Sequence, residues 1–329
     1  MGLILDHHAV EPVARGLLGS MSCSGGPTPE QQRLLQALLT HLWQRPDLCV
    51  AALEPIGPQA LASALDDPSV RRVVHLLQMT LEFCRHPQTQ AQLALGRAYA
   101  EALGVSSDAL EVSRDWLLQG VEQAAADVGR IFNAFLPLRS EPGLADSLAS
   151  AHQPEPELVE RIEGFAQLPE GSLGRALLGY YARFGFPMPG QEACALNHLY
   201  LAHDMTHVIA GIAATPAGEI ALSAFQLAMQ DNAINESALL ASLVTHEAGF
   251  VSANPTLVPE QSSLDSPSAA YLLASELRRG SACNADFSLV DHLALAPLPL
   301  AAVRQHFNVC RPIRPSPVDH LLWEPGAAF

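Results

Sequence analysis

His203 and His207 stand four residues apart in the stretch LAHDMTHVIAGIAATPAGE (201–219), with Asp204 between them and Glu219 beyond. On an α-helix each residue advances about 100°, so His203, His207 and Asp204 project at roughly 0°, 40° and 100°, all within one arc. Two imidazoles at i and i+4 let a helix grip a divalent metal, as in the H-E-x-x-H arrangement. Asp204 suits three roles there: a ligand, a partner that fixes a histidine tautomer, or a base. The surrounding residues are apolar, and burying such groups is costly unless they are paired, hydrogen-bonded or bound to a metal. The segment therefore reads as a metal site, a satisfied polar network in a core, or a chance of composition.

Glu219 lies twelve positions after His207, beyond the AATPAG turn. Thr215 followed by Pro216 marks a helix start, which places Glu219 in a first turn. An acid there is favoured by the helix dipole alone. A capping box would instead need its acid three residues after Thr215, and that position is Gly218.

The elements that must position these groups read as helices throughout. TPEQQRLLQALLTHLW opens with Thr28 as N-cap and Pro29 at the first helical position. Leu34, Leu35, Leu38, Leu39 and Leu42 supply its apolar face. DDPSVRRVVHLLQMTLEFCRH follows the same plan, Gly104 suits a helix C-cap, and Ser107 or Asp108 the next N-cap. The spacing predicts one helix over about 191–211 and another over about 216–230, with later helices in SPSAAYLLASELRRG and PLAAVRQHFNV. No alternating strand pattern competes, so the expected class is all-α. The linear order divides into a helical region 1–137 without evident chemistry, a linker 138–157, a domain 158–310 with the metal motif, and an extended proline-rich tail 311–329.

Other polar groups read as less specific. His198 falls about 140° from His203 on its helix and is a structural or pocket residue. His246 and Glu247 are adjacent, which does not put both on one face. Asp6, His7 and His8 read as a solvated or frayed end. Tyr180, Tyr181, Arg183 and Phe184 read as packing. Arg175 is a better functional candidate, able to meet a substrate carboxylate or Glu219.

Composition excludes several classes. The chain has 329 residues, 49% of them hydrophobic, with 34 acidic against 18 basic residues. A net charge of -16 opposes phosphate backbones, and no Lys/Arg cluster with interleaved aromatics appears, so no nucleic-acid partner is expected. Cys23, Cys49, Cys84, Cys194, Cys283 and Cys310 are scattered without a C-x-x-C pair. The start lacks a cationic n-region, and Asp6 breaks the N-myristoylation pattern. Pro216, Gly218 and Glu219 interrupt the longest apolar run, so no transmembrane segment is expected. The expected location is cytoplasmic, with free thiols. Neither a G-x-S-x-G element nor a Walker sequence appears.

HDMTH followed after eleven residues by a glutamate resembles the signature of the ubiquinone (coenzyme Q) biosynthesis family, Coq-four type. LPEGSLGRALLGYYARFG is similar to that family's P-x-G-S/T-x-G-R-x-Y segment, and ELRRGSACNADFSLVDHLALAPLPLAAVRQHFNV to its terminal region. The resemblance spans about residues 158–310 and matches the motif at His203, Asp204, His207 and Glu219. It departs at SLVDHL, where the family has a W-E-like pair, and it does not extend to the first 140 residues or so. The resemblance implies an all-α fold and a divalent metal held by those two histidines and two carboxylates, with zinc first and iron or manganese as alternatives. It also implies a hydrophobic or aromatic small-molecule substrate, prenylated or carboxylated, in an apolar tunnel. Ring decarboxylation with hydroxylation is the implied reaction, with Asp204, Glu219 and Arg175 as catalytic candidates. The resemblance also implies association with other biosynthetic enzymes; peripheral membrane contact and a homo-oligomer are separate expectations. The alternatives are a tailoring enzyme for a specialised metabolite and a non-catalytic lipid-binding scaffold with a structural metal.

Overall fold

Local capping chemistry sets the helix starts. Thr28 Oγ1 accepts from the Gln31 amide at 3.2 Å, and Gln31 Oε1 accepts from the Thr28 amide at 2.9 Å, a reciprocal box that begins the helix Pro29–Ala37. Asp67 and Thr89 begin Pro68–Phe83 and Gln90–Leu103 by accepting from the Ser69 and Gln92 amides at 2.8 and 3.2 Å, and Gly104 ends the latter at φ 67°. The structure is a computed structural model that describes residues 3–23, 25–106, 111, 112, 115, 118–249 and 261–323. Ser107 and Asp108, read as a further N-cap, lie outside them.

In chain order the α-helices are α1 (His7–Ser20), α2 (Pro29–Ala37), α3 (Pro58–Ser63), α4 (Pro68–Phe83), α5 (Gln90–Leu103), α6 (Val121–Arg139), α7 (Pro156–Glu163) and α8 (Leu173–Phe184). They continue as α9 (Asn197–Ala210), α10 (Pro216–Met229), α11 (Ala233–His246), α12 (Pro267–Ser281), α13 (His292–Leu295) and α14 (Leu300–His306). The described residues contain no strand, only two isolated bridges, so the fold is all-α. No helix among them is long and apolar enough to cross a membrane.

The chain packs into two compact units, each made of two stretches. The first combines Met1–Phe132 with Glu219–Ser281, and the second Asn133–Gly218 with Ala282–Phe329. This grouping cuts across the linear division at 137, 157 and 310. Its physical cause is visible within the first unit, where α12 covers α2 and the single π-turn Leu38–Leu42 that continues it. Leu34, Leu35, Leu38, Leu39 and Leu42 are all buried there. Asp6, His7 and His8 are solvated but not frayed. His7 and His8 are exposed, but they open α1, whose Val10, Val13, Ala14, Leu17 and Leu18 are buried. Pro12 and the two histidines obscure that stripe in the sequence.

In the second unit, Ser172 caps α8, and α8 packs against α7, α9 and α14. The loop before α9 is longer than its composition suggests. Asn197, not residue 191, starts the helix, because its side chain donates back to Glu155 Oε1 at 2.8 Å and the Glu192 carbonyl at 3.1 Å. The stretch read as a linker is anchored as well. Glu141 is buried and accepts from the amides of Gly143 and Leu293 at 3.2 and 3.3 Å, with His292 Nδ1 at 2.8 Å. The described part of the proline-rich tail, 311–323, turns instead of extending: the His320 amide donates to the Ser316 carbonyl at 2.9 Å, and Trp323 lies beneath Arg304.

Candidate metal centre

Helix α9 carries His203, Asp204 and His207, and its last turn determines their chemistry. Gly211 ends the helix at φ 75°, a left-handed conformation that glycine adopts without strain. The chain reverses there and brings the Ile212 carbonyl to 3.0 Å from His207 Nδ1. A carbonyl can only accept, so Nδ1 carries the hydrogen and Nε2 of the neutral ring keeps its lone pair. That Nε2 lies 3.1 Å from His203 Nε2, with the rings edge to face. His207 is fully buried and His203 half-buried.

Glu219 arrives from the first turn of α10. Thr215 Oγ1 accepts from the Gly218 amide at 3.1 Å, so Thr215 is the N-cap. Gly218 occupies the position where a capping box would hold its acid, for a steric reason. A Cβ there would lie 2.0 Å from the Ala213 carbonyl oxygen. Glycine lets the TPAG turn close tightly, and Glu219 follows it. Ligand atoms of His203, His207 and Glu219 all lie within 4.8 Å of one another.

Asp204 is placed differently. Its carboxylate accepts from the Tyr180 hydroxyl at 3.2 Å on Oδ1 and the Tyr181 hydroxyl at 3.0 Å on Oδ2. Burial, and then the Asp204 charge and hydrogen bond, push the Tyr181 phenol well above its ordinary range, so it stays a donor. The Tyr180 ring also stacks on His207, with centroids 5.8 Å apart and planes 26° apart. The two tyrosines, read from the sequence as packing, thus connect Asp204 to the face of a histidine. Nothing in their spacing announces it, since the partner is 23 or 24 residues away.

Arg304 is a second group whose part the sequence conceals. Its Nε donates to the Ile209 carbonyl at 3.0 Å, and its Nη2 to those of Val208 and Leu322 at 2.9 and 3.1 Å. These contacts satisfy the end of the helix that holds His207. Arg175 directs Nη1 to the Ala166 carbonyl at 3.3 Å on the exposed side of α8. His198 pairs with Glu155 at 2.6 Å, a structural role. His246 is buried at the end of α11, and Phe250 of the THEAGF segment lies outside the described residues.

No protein-family model matches the chain. No curated protein matches it either. Among solved structures, it is similar to one from Nostoc punctiforme described as that of a "putative ubiquinone biosynthesis protein". The identity is 18%, covering 72% of this chain and 98% of that one, with a TM-score of 0.33. An overlap that low carries no argument about the site, which stands on its own geometry.

The donor set fits a divalent ion. Tetrahedral zinc–nitrogen bonds of about 2.0–2.1 Å put two ligand nitrogens roughly 3.3 Å apart, close to the observed 3.1 Å between the imidazoles. The fixed tautomer of His207 and a carboxylate within reach complete a set that suits zinc, iron or manganese.

Proposed function

We propose that the chain is a metal-dependent enzyme of ubiquinone-biosynthesis-like type, acting on a hydrophobic or aromatic small molecule. The observation that carries this reading is the convergence of His203, His207 and Glu219 within 4.8 Å, with the His207 lone pair aimed by the Ile212 carbonyl. The HDMTH-x11-E motif supports it from the sequence.

His203 Nε2, His207 Nε2 and a Glu219 oxygen would hold the ion. When bound, it would supply Lewis-acid polarisation of a carboxyl or carbonyl oxygen, or a water of lowered pKa. The protein's part is positioning. Ile212 fixes the tautomer of His207, Tyr180 lies on its ring, and Asp204 holds the hydroxyls of Tyr180 and Tyr181. Asp204 is therefore a positioning residue in this reading. Arg175 is engaged at Ala166 and is given no step.

The test is elemental analysis of protein purified without an affinity tag, together with His203→Ala, His207→Ala and Glu219→Ala. Stoichiometric metal in the wild type, lost in the variants along with turnover of a prenylated hydroxybenzoate, is the expected result. A wild type that holds no metal after reconstitution overturns the reading. Variants that lose metal yet keep their fold and full turnover overturn the catalytic role.

A further inference from the structure

A second convergence of ligand-type side chains is built entirely from residues of the first unit. Glu30 lies in the first turn of α2, where the helix dipole favours an anion. His86 lies just past the end of α4, and Glu247 directly follows α11. The start of α2 is tied to the end of α4, because Gln31 Nε2 donates to the Leu81 carbonyl at 2.9 Å and Thr28 Oγ1 to that of Cys84 at 3.5 Å. Glu247 accepts from the Leu264 amide at 2.9 Å on Oε2, and its Oε1 lies 3.0 Å from His86 Nε2. Ligand atoms of Glu30, His86 and Glu247 all fall within 4.8 Å of one another.

Two independent features point to a cation. Glu30 is 6% exposed, and its Oε1 is buried without any hydrogen-bond partner. Such an oxygen is costly unless a donor or a cation reaches it. The local charge is also unbalanced. Glu30 and Glu247 share their surroundings with Asp265, and the nearby cation Arg33 is already engaged by Asp265. Burial first, and then Glu247, push the Glu30 carboxyl up to about 8. Burial and the same acids also raise the Cys84 thiol.

We propose that Glu30, His86 and Glu247 form a divalent-cation site that fastens the ends of α2, α4 and α11 together. One imidazole and two carboxylates suit an ion of the zinc, cobalt or manganese class. A divalent ion balances both carboxylates at once and gives Glu30 Oε1 a partner. The His86 side chain, 15% exposed, provides the route of entry. None of these residues belongs to the His203–His207–Glu219 set, so the two sites stand or fall separately.

The test is a titration of the full chain, stripped of metal by a chelator, with Co2+. Stoichiometry, visible absorption and Tm are followed in the wild type, Glu30→Gln, His86→Gln, and the double variant His203→Ala/His207→Ala. The expected result is that Glu30→Gln and His86→Gln each bind one equivalent fewer than the wild type, whereas the double variant retains this equivalent. Co2+ should raise the wild-type Tm and raise that of Glu30→Gln less. Glu30→Gln should fold at least as well as the stripped wild type, because a neutral amide relieves the carboxylate repulsion. If it does not fold, the partly exposed His86→Gln carries the test. Unchanged stoichiometry in both single variants overturns the proposal, as does Co2+ uptake that depends on His203 and His207 alone.

Discussion

The two histidine–carboxylate clusters reach similar donor sets by opposite routes. His203 and His207 are neighbours on one helical face, and Glu219 follows after a single turn. Glu30, His86 and Glu247 come from three separate helix ends, with 55 and 160 residues between successive members. The charges are also settled differently. Near the first cluster, Asp204 is matched by two tyrosine hydroxyls and the His207 tautomer is fixed by a carbonyl. In the second, a buried carboxylate oxygen has no donor, and Glu30 is pushed up to about 8. A local motif can be complete before the chain packs, whereas a cluster of helix ends exists only once the unit has formed.

The largest expected effect separates these cases directly. His207→Ala should abolish metal retention at the α9 cluster and also destabilise the second unit. It removes a fully buried ring and leaves the Ile212 carbonyl without its donor, at a cost of about 2–4 kcal/mol. Urea unfolding of the metal-free variant measures this, and a midpoint equal to the wild type's would mean that the ring contributes nothing to packing. Next comes Asp204→Ala, which strands two buried hydroxyls at a cost of about 2–3 kcal/mol, with Asp204→Asn intermediate because it keeps one acceptor. If Asn proves as damaging as Ala, the carboxylate charge rather than its accepting geometry is what matters.

The second cluster should respond to pH with the opposite sign to an ordinary ion pair. Glu30 has a folded-state pKa raised from 4.5 to about 8, so the folded state holds a proton that the unfolded state has lost. Its contribution is fully present below about 4.5 and disappears as pH rises through about 8. Fully buried Glu82 is raised to about 8 by burial and adds to the same trend. In chelator, Glu30→Gln should match the wild type near pH 5 and exceed its Tm near pH 8. A Tm difference that stays constant across this range would dissociate Glu30 from the slope. Smaller still, Gly218→Ala should cost on the order of 1–3 kcal/mol, since its methyl must displace the Ala213 carbonyl. Thermal unfolding, together with metal content, shows whether that shift also moves Glu219.

Much of this arrangement is legible in the sequence where the cause is local. Thr28, Gly104, Thr215 and the i,i+4 histidines each act within about one helical turn, and the structure places the three caps as their chemistry predicts. The contributions of Tyr180, Tyr181 and Arg304 are not legible, because each depends on which helix packs beside which. Apolar periodicity identifies a buried face without naming its partner. That is also why the linear division misses the association of 219–281 with the start of the chain. Pro12 hides α1 and Asn197 delays α9, each by overriding the apolar pattern around it.

The corner at Gly211 extends beyond the shape of a helix end. Because a main-chain carbonyl holds His207 Nδ1–H, the ring's polarity is written into the backbone and needs no dedicated side chain. In nitrogen NMR, His207 should show a pyrrole-type Nδ1 and a pyridine-type Nε2 in the metal-free protein, with an Nδ1 proton slow to exchange. The same corner makes that resonance a reporter: an agent that opens the Gly211 turn would scramble the two nitrogen signals before the rest of the second unit unfolds.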